Sequence, residues 1–140
     1  MRSGVMLFRI IAGLIFLQIA LGGLLTFGFI SAAIHVVFGL IVFAAAVAAL
    51  VMTMVSKPAF RPIQIISTII VVLLVVQIIL GFITLGSGNE VIAWVHLLNA
   101  IAVYGLAISA SFTALRWDQV ARTQLGNAPA KYTGQEKVKD

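Results

Sequence analysis

His35 and His96 are the only histidines in the 140-residue chain, and each follows a copy of the same short phrase. The first copy is Leu17-Gln18-Ile19-Ala20-Leu21-Gly22, and the second is Val76-Gln77-Ile78-Ile79-Leu80-Gly81. Gln18 and Gln77 stand 59 positions apart, Gly22 and Gly81 also 59, and the two histidines 61. A neutral imidazole is a nitrogen ligand for metals. Two of them at matched places in a repeat, with no carboxylate or thiolate beside them, suit the two axial positions of a haem iron. They do not suit zinc, which takes more protein ligands than two. The expected site is therefore a heme b held by His35 and His96. Gly22 and Gly81 would clear room for the flat macrocycle, and Gln18 and Gln77 share their helix faces one turn away. Thr26 and Thr84 extend those faces outward, Gly39 and Ala100 keep the ligand face narrow four residues after each histidine, and Asn99 adds an amide donor.

Each residue also has a plainer role. Membrane histidines and glutamines often make interhelical hydrogen bonds, and glycines often serve close helix packing. The matched positions of the two histidines are what favour ligation over those roles.

Composition decides what must hold these residues. The sequence is 62% hydrophobic and 9% charged, whereas a soluble domain carries roughly 25% charged residues. Lipid is therefore the solvent for most of the chain. With no cysteine, disulfides, thiolate-held clusters and covalent haem attachment through CxxCH drop out. The net charge of +5 comes from few, scattered cations, which reads as a topology signal and not as a nucleic-acid surface. No nucleotide-binding loop or serine–histidine–acid set is present. Glu90 is the only acid before the C-terminal tail, so an acidic proton relay has no residues to run on. A cleavable leader is not expected, because the first apolar run exceeds a signal-peptide core.

Four apolar stretches, at about 6–29, 31–55, 63–85 and 91–115, are each long enough for a membrane helix of about 20 residues. They predict an all-α membrane protein, a four-transmembrane-helix bundle made of two parallel-repeat helical hairpins. Residues 1–116 form the haem-binding domain and residues 117–140 a polar, solvated cytoplasmic tail. Tight turns fall at Phe27-Gly28-Phe29-Ile30-Ser31 and Gly86-Ser87-Gly88-Asn89-Glu90, with a proline-bearing loop at Ser56-Lys57-Pro58-Ala59-Phe60-Arg61-Pro62. All nine cations fall at the opposite end from the first two turns. The positive-inside rule then puts both termini in the cytoplasm of a multi-pass cell-membrane protein. Two-span repeats enter the membrane in the same direction, related by a pseudo-twofold axis along its normal. Both histidines then lie about 8–9 Å inside the outer ends of their helices, facing each other across the bundle.

At these residues the sequence resembles the heme A synthase family. The phrases are Gln18-Ile19-Ala20-Leu21-Gly22-Gly23-Leu24-Leu25-Thr26 with Ala33-Ile34-His35, and Gln77-Ile78-Ile79-Leu80-Gly81-Phe82-Ile83-Thr84 with Val95-His96-Leu97-Leu98. The likeness covers about residues 6–115. Full-length members have two four-helix halves, so this chain looks like one half. The resemblance implies that His35 and His96 ligate a haem on the outer side of the bundle. The family's catalytic half carries Glu four residues before a ligating His, where this chain has Ser31 and Ile92. The likeness is thus closer to the cofactor-holding half.

Together these readings describe a b-type cytochrome subunit that carries electrons within a respiratory or oxidase complex, with other membrane subunits and the lipid bilayer as partners and no nucleic acid. The alternatives are a half-size heme A synthase-like enzyme and a cofactor-free structural subunit. Haem propionates on the outer side would meet Ser, Thr, Asn and backbone donors, since the outer turns hold no Arg or Lys.

Overall fold

The computed structural model describes residues 2–55 and 61–126. They form four helices: α1 (Arg2–Thr26), α2 (Ala32–Val55), α3 (Arg61–Ser87) and α4 (Glu90–Gly126). All four are long and apolar enough to cross a membrane. A helix satisfies its own backbone, which is why the Ile- and Val-rich α3 is helical despite its strand-like composition. Large apolar side chains face outward on every helix. Phe16, Val37, Ile79 and Leu98 are each more than half exposed, as a surface solvated by lipid tails requires.

Both outer turns lie where glycine and polar residues interrupt the apolar runs. After α1, Gly28 adopts a positive φ of 75°, and Phe29 N–H reaches back to Leu24 C=O at 2.9 Å. This is a Schellman closure, which needs a residue without a Cβ penalty at that place. Gly88, with φ 62°, ends α3 by the simpler αL motif, its N–H reaching Thr84 C=O at 3.0 Å. Asn89 then caps α4, its Oδ1 accepting the Val91 and Ile92 amides at 2.9 and 3.2 Å, as expected for an N-cap amide.

Several boundaries differ from those read in the sequence: α1 already begins at Arg2, and Gly86, Ser87 and Glu90 of the second expected turn are helical. Arg61 and Pro62 belong to the first turn of α3 and not to the loop, because proline lacks only an N–H that the first turn leaves unpaired anyway. The rest of that loop, 56–60, lies outside the described residues. At the other end, α4 continues past residue 116 to Gly126. Asp118 is buried there and accepts Arg122 Nη2 at 2.7 Å and Nε at 3.0 Å, an i,i+4 pair that supports the extension. Residues 127–140 of the expected tail lie outside the described residues.

The helices form a square. Helix α1 packs on α2 and α4, α3 packs on α2 and α4, and the diagonal pairs make no close backbone approach. This ring maps onto itself when α1 exchanges with α3 and α2 with α4, as the repeat requires. The core obeys the same spacings. Ile11 and Ile70, Ile15 and Leu74, Val42 and Val103, Ala46 and Ala107, and Ala49 and Ala110 are all buried, offset by 59 or 61 positions. They run from the middle of the bundle, at Ile15, Val42, Leu74 and Val103, toward the end that carries the chain's N-terminus. Small residues on α2 and α4 let this half close tightly. The half beside the outer turns does not close.

Overpacking the tight half should be costly. Ala107→Leu, at a fully buried position, is expected to lower unfolding stability in detergent by about 1–3 kcal/mol. Ile79→Ala on the lipid face should change it by much less. Equal effects in a denaturation series would contradict this division.

Candidate functional site

Above the floor made by Ile15, Val42, Leu74 and Val103, the four helices surround a cavity of about 730 Å3. This falls within the roughly 300–1,000 Å3 typical of cofactor pockets. Helices α2 and α4 contribute His35 and His96 across the diagonal, with ring centroids 6.4 Å apart and planes inclined by 64°. Helices α1 and α3 contribute Gln18, Gly22, Gln77 and Gly81 to the same space. All six residues singled out by the repeat therefore meet in one cavity. Thr26, Thr84, Gly39 and Ala100 line it too. The two threonines are not repeat mates, however: position 85 corresponds to Thr26 and position 25 to Thr84, and both are leucine.

The glycines seat the histidines. A Cβ on Gly22 would lie 3.3 Å from His35 Cε1, and one on Gly81 would lie 3.1 Å from His96 Cε1. Each imidazole thus rests against bare backbone of the first helix of its own hairpin. The sequence reading assigned these glycines to clearance for a macrocycle; their direct contact is the histidine ring itself. Gly39 admits the partner glutamine in the same way, since a Cβ there would be 2.8 Å from Gln18 Nε2.

The amides fix which imidazole nitrogen of His96 is bare. Asn99 Nδ2 donates to the Leu73 carbonyl at 3.0 Å and to Gln77 Oε1 at 2.6 Å. A backbone carbonyl can only accept, so it settles the orientation of Asn99 and, through it, of Gln77. Gln77 Nε2 is left to donate to His96 Nε2 at 3.2 Å. That nitrogen therefore holds the lone pair, and the proton sits on Nδ1, which is buried without a partner. The first repeat is arranged differently. Gln18 Nε2 donates to the His35 carbonyl at 3.0 Å and approaches the ring nitrogens, at 3.2 Å from Nε2 and 3.4 Å from Nδ1. An acceptor nitrogen is thus singled out by the amides at His96, whereas at His35 the Gln18 amide lies almost equally near both ring nitrogens.

Asn99 matters more than its place in the sequence suggested, because its repeat mate is Phe38 and nothing in the pattern marks it. Trp94 lines the cavity together with Glu90, the only charged residue in the lining. Thr84 Oγ1 is buried without a partner in the lining. Among the described residues no group of three or more His, Cys, Asp or Glu could hold a metal ion. A metal here would need most of its ligands from a bound group. No family model, curated protein or solved structure matches the chain.

Removing the Asn99 amide should release Gln77. In imidazole nitrogen NMR of the purified chain, His96 is expected to show protonated Nδ1 and bare Nε2, and Asn99→Leu is expected to mix the two tautomers. An unchanged tautomer in that variant would contradict the relay.

Proposed function

We propose that the chain is a membrane b-type cytochrome subunit in which His35 and His96 ligate one heme b. The spacing of the two rings carries this reading. An imidazole nitrogen lies about 1.15 Å from its ring centroid and bonds a metal at about 2.0 Å. Two imidazoles whose nitrogens turn toward one ion between them have centroids about 6.3 Å apart, and the His35 and His96 centroids are already 6.4 Å apart, so ligation would need each ring to turn from its glutamine without the helices moving apart. The 64° inclination is compatible with this, because each ring can turn about its own metal–nitrogen bond.

The donor set fits the group. Two neutral nitrogens leave an iron four ligands short, which a porphyrin supplies. The bare Nε2 of His96 is already turned toward Gln77, and that amide would yield its place to the metal, as Gln18 would at His35. Apolar walls from all four helices suit the macrocycle, and the unpartnered Thr84 hydroxyl is available to a polar edge. When bound, the haem would supply one-electron redox chemistry. The chain's own residues hold its ligands in place and keep water out.

The resemblance to the heme A synthase family supports the same cofactor. Ser31 and Ile92, standing where that family's catalytic half carries glutamate, favour an electron carrier over an enzyme that oxidises haem. Little of the described chain lies outside the bundle, so electron donor and acceptor are neighbouring membrane subunits of a respiratory or oxidase complex. The cation distribution favours both termini in the cytoplasm of the cell membrane.

His35→Ala and His96→Ala are each expected to abolish the low-spin haem spectrum and reduce bound haem several-fold, with partial recovery on adding free imidazole. Gly81→Leu should act similarly by displacing the His96 ring. Full haem content in both histidine variants would overturn axial ligation.

A further inference from the structure

The interface of α1 with α4 and that of α2 with α3 are equivalent under the repeat, so each is an internal control for the other. Their residues differ in one region. Between α1 and α4 lies a groove of about 270 Å3 lined by Arg9, Ala12, Gly13, Tyr104, Ser111 and neighbouring apolar residues. The corresponding positions between α3 and α2 are Thr68, Val71, Val72, Phe43 and Leu50. A guanidinium, a phenol, a second hydroxyl and an open backbone surface are thus gathered in one interface, and mainly branched or aromatic apolar side chains fill the other.

Arg9 sits one turn inside an apolar span that begins at Val5, and it is exposed. Among the described residues no carboxylate pairs with it. An unpaired cation at that depth is costly unless it reaches an anion, and an arginine can extend its head toward the membrane surface while its stem stays in apolar surroundings. The buried Ser111 hydroxyl donates to the Ala107 carbonyl at 3.1 Å and retains acceptor capacity. Gly13 has nothing within 4 Å of where a Cβ would stand, which leaves an open track along α1 beside the exposed Phe112.

We infer that this groove binds an anionic phospholipid, with its phosphate on Arg9 and an acyl chain along Gly13 and Phe112. The phospholipid phosphate is the anion always present at this depth of a bilayer, and basic pockets between membrane helices are suited to such head groups. The site is separate from the histidine cavity and does not depend on haem.

The test is retention of lipid by the purified full chain. The chain is equilibrated with vesicles containing equal phosphatidylglycerol and phosphatidylcholine, and the bound lipid is read by native mass spectrometry. The native chain is expected to favour phosphatidylglycerol by about fivefold, the preference one basic residue gives at a membrane surface. Arg9→Gln should bring the ratio to near parity, and Arg116→Gln should leave it unchanged. Gly13→Val with Ser111→Leu, which copies residues tolerated at the equivalent interface, should also remove the preference while the helical spectrum is kept. Equal retention of both lipids by the native chain would overturn the proposal. So would an unaltered preference in Arg9→Gln, an equal loss in Arg116→Gln, or loss of self-association in Arg9→Gln without any change in bound lipid.

Discussion

The contact between each imidazole and the bare backbone of a glycine sets the geometry of the whole upper half of the bundle. Were a methyl group present at Gly22 or Gly81, it would stand 3.3 or 3.1 Å from the ring carbon of His35 or His96, tighter than ordinary van der Waals separation. The ring would have to move, and with it the amide that caps it. Each glycine thus fixes a histidine against the first helix of its own hairpin. The repeat then brings the two rings together across the diagonal, with their planes inclined by 64°.

That arrangement explains why one bundle has two different halves. In the half near the chain's N-terminus, alanines on α2 and α4 and isoleucines on α1 and α3 fill the axis. In the half near the outer turns, the axis is given to glutamine, histidine and glycine, which leave a cavity. Three of the four buried polar atoms without partners among the described residues lie there, Gln18 Oε1, Thr84 Oγ1 and His96 Nδ1, while Ser67 Oγ lies in the tight half. Such atoms are costly when left unsatisfied. Their concentration in one apolar-walled space is the pattern of a site that a ligand completes. The tight half can hold the helices in register while the open half keeps its cavity.

Much of this could be read from the sequence because it rests on spacing. The four apolar runs, the two glycine turns and the matched Gln, Gly and His positions are local patterns, and the repeat carries them into three dimensions by symmetry. What breaks the symmetry was less legible. Asn99 faces a repeat mate that is phenylalanine, and only the position of the Leu73 carbonyl reveals that it orients Gln77. Thr26 and Thr84 looked equivalent by rough distance from the glycines, yet they occupy different helical positions. The continuation of α4 beyond residue 116, which the i,i+4 pair of Asp118 and Arg122 supports, is concealed by a run of polar composition. Arg9 read as one topology cation among nine until the groove beside Tyr104 and Ser111 set it apart.

The proposed cytochrome rests on two imidazoles with ring centroids 6.4 Å apart in one cavity, and absorbance tests it most directly. A reduced-minus-oxidised spectrum of the purified full chain, followed by pyridine haemochrome analysis, should show sharp low-spin b-type bands at about one haem per chain. A chain that carries no haem, even after expression with excess haem supplied, would contradict the cytochrome reading and leave the histidines as packing residues of a structural subunit.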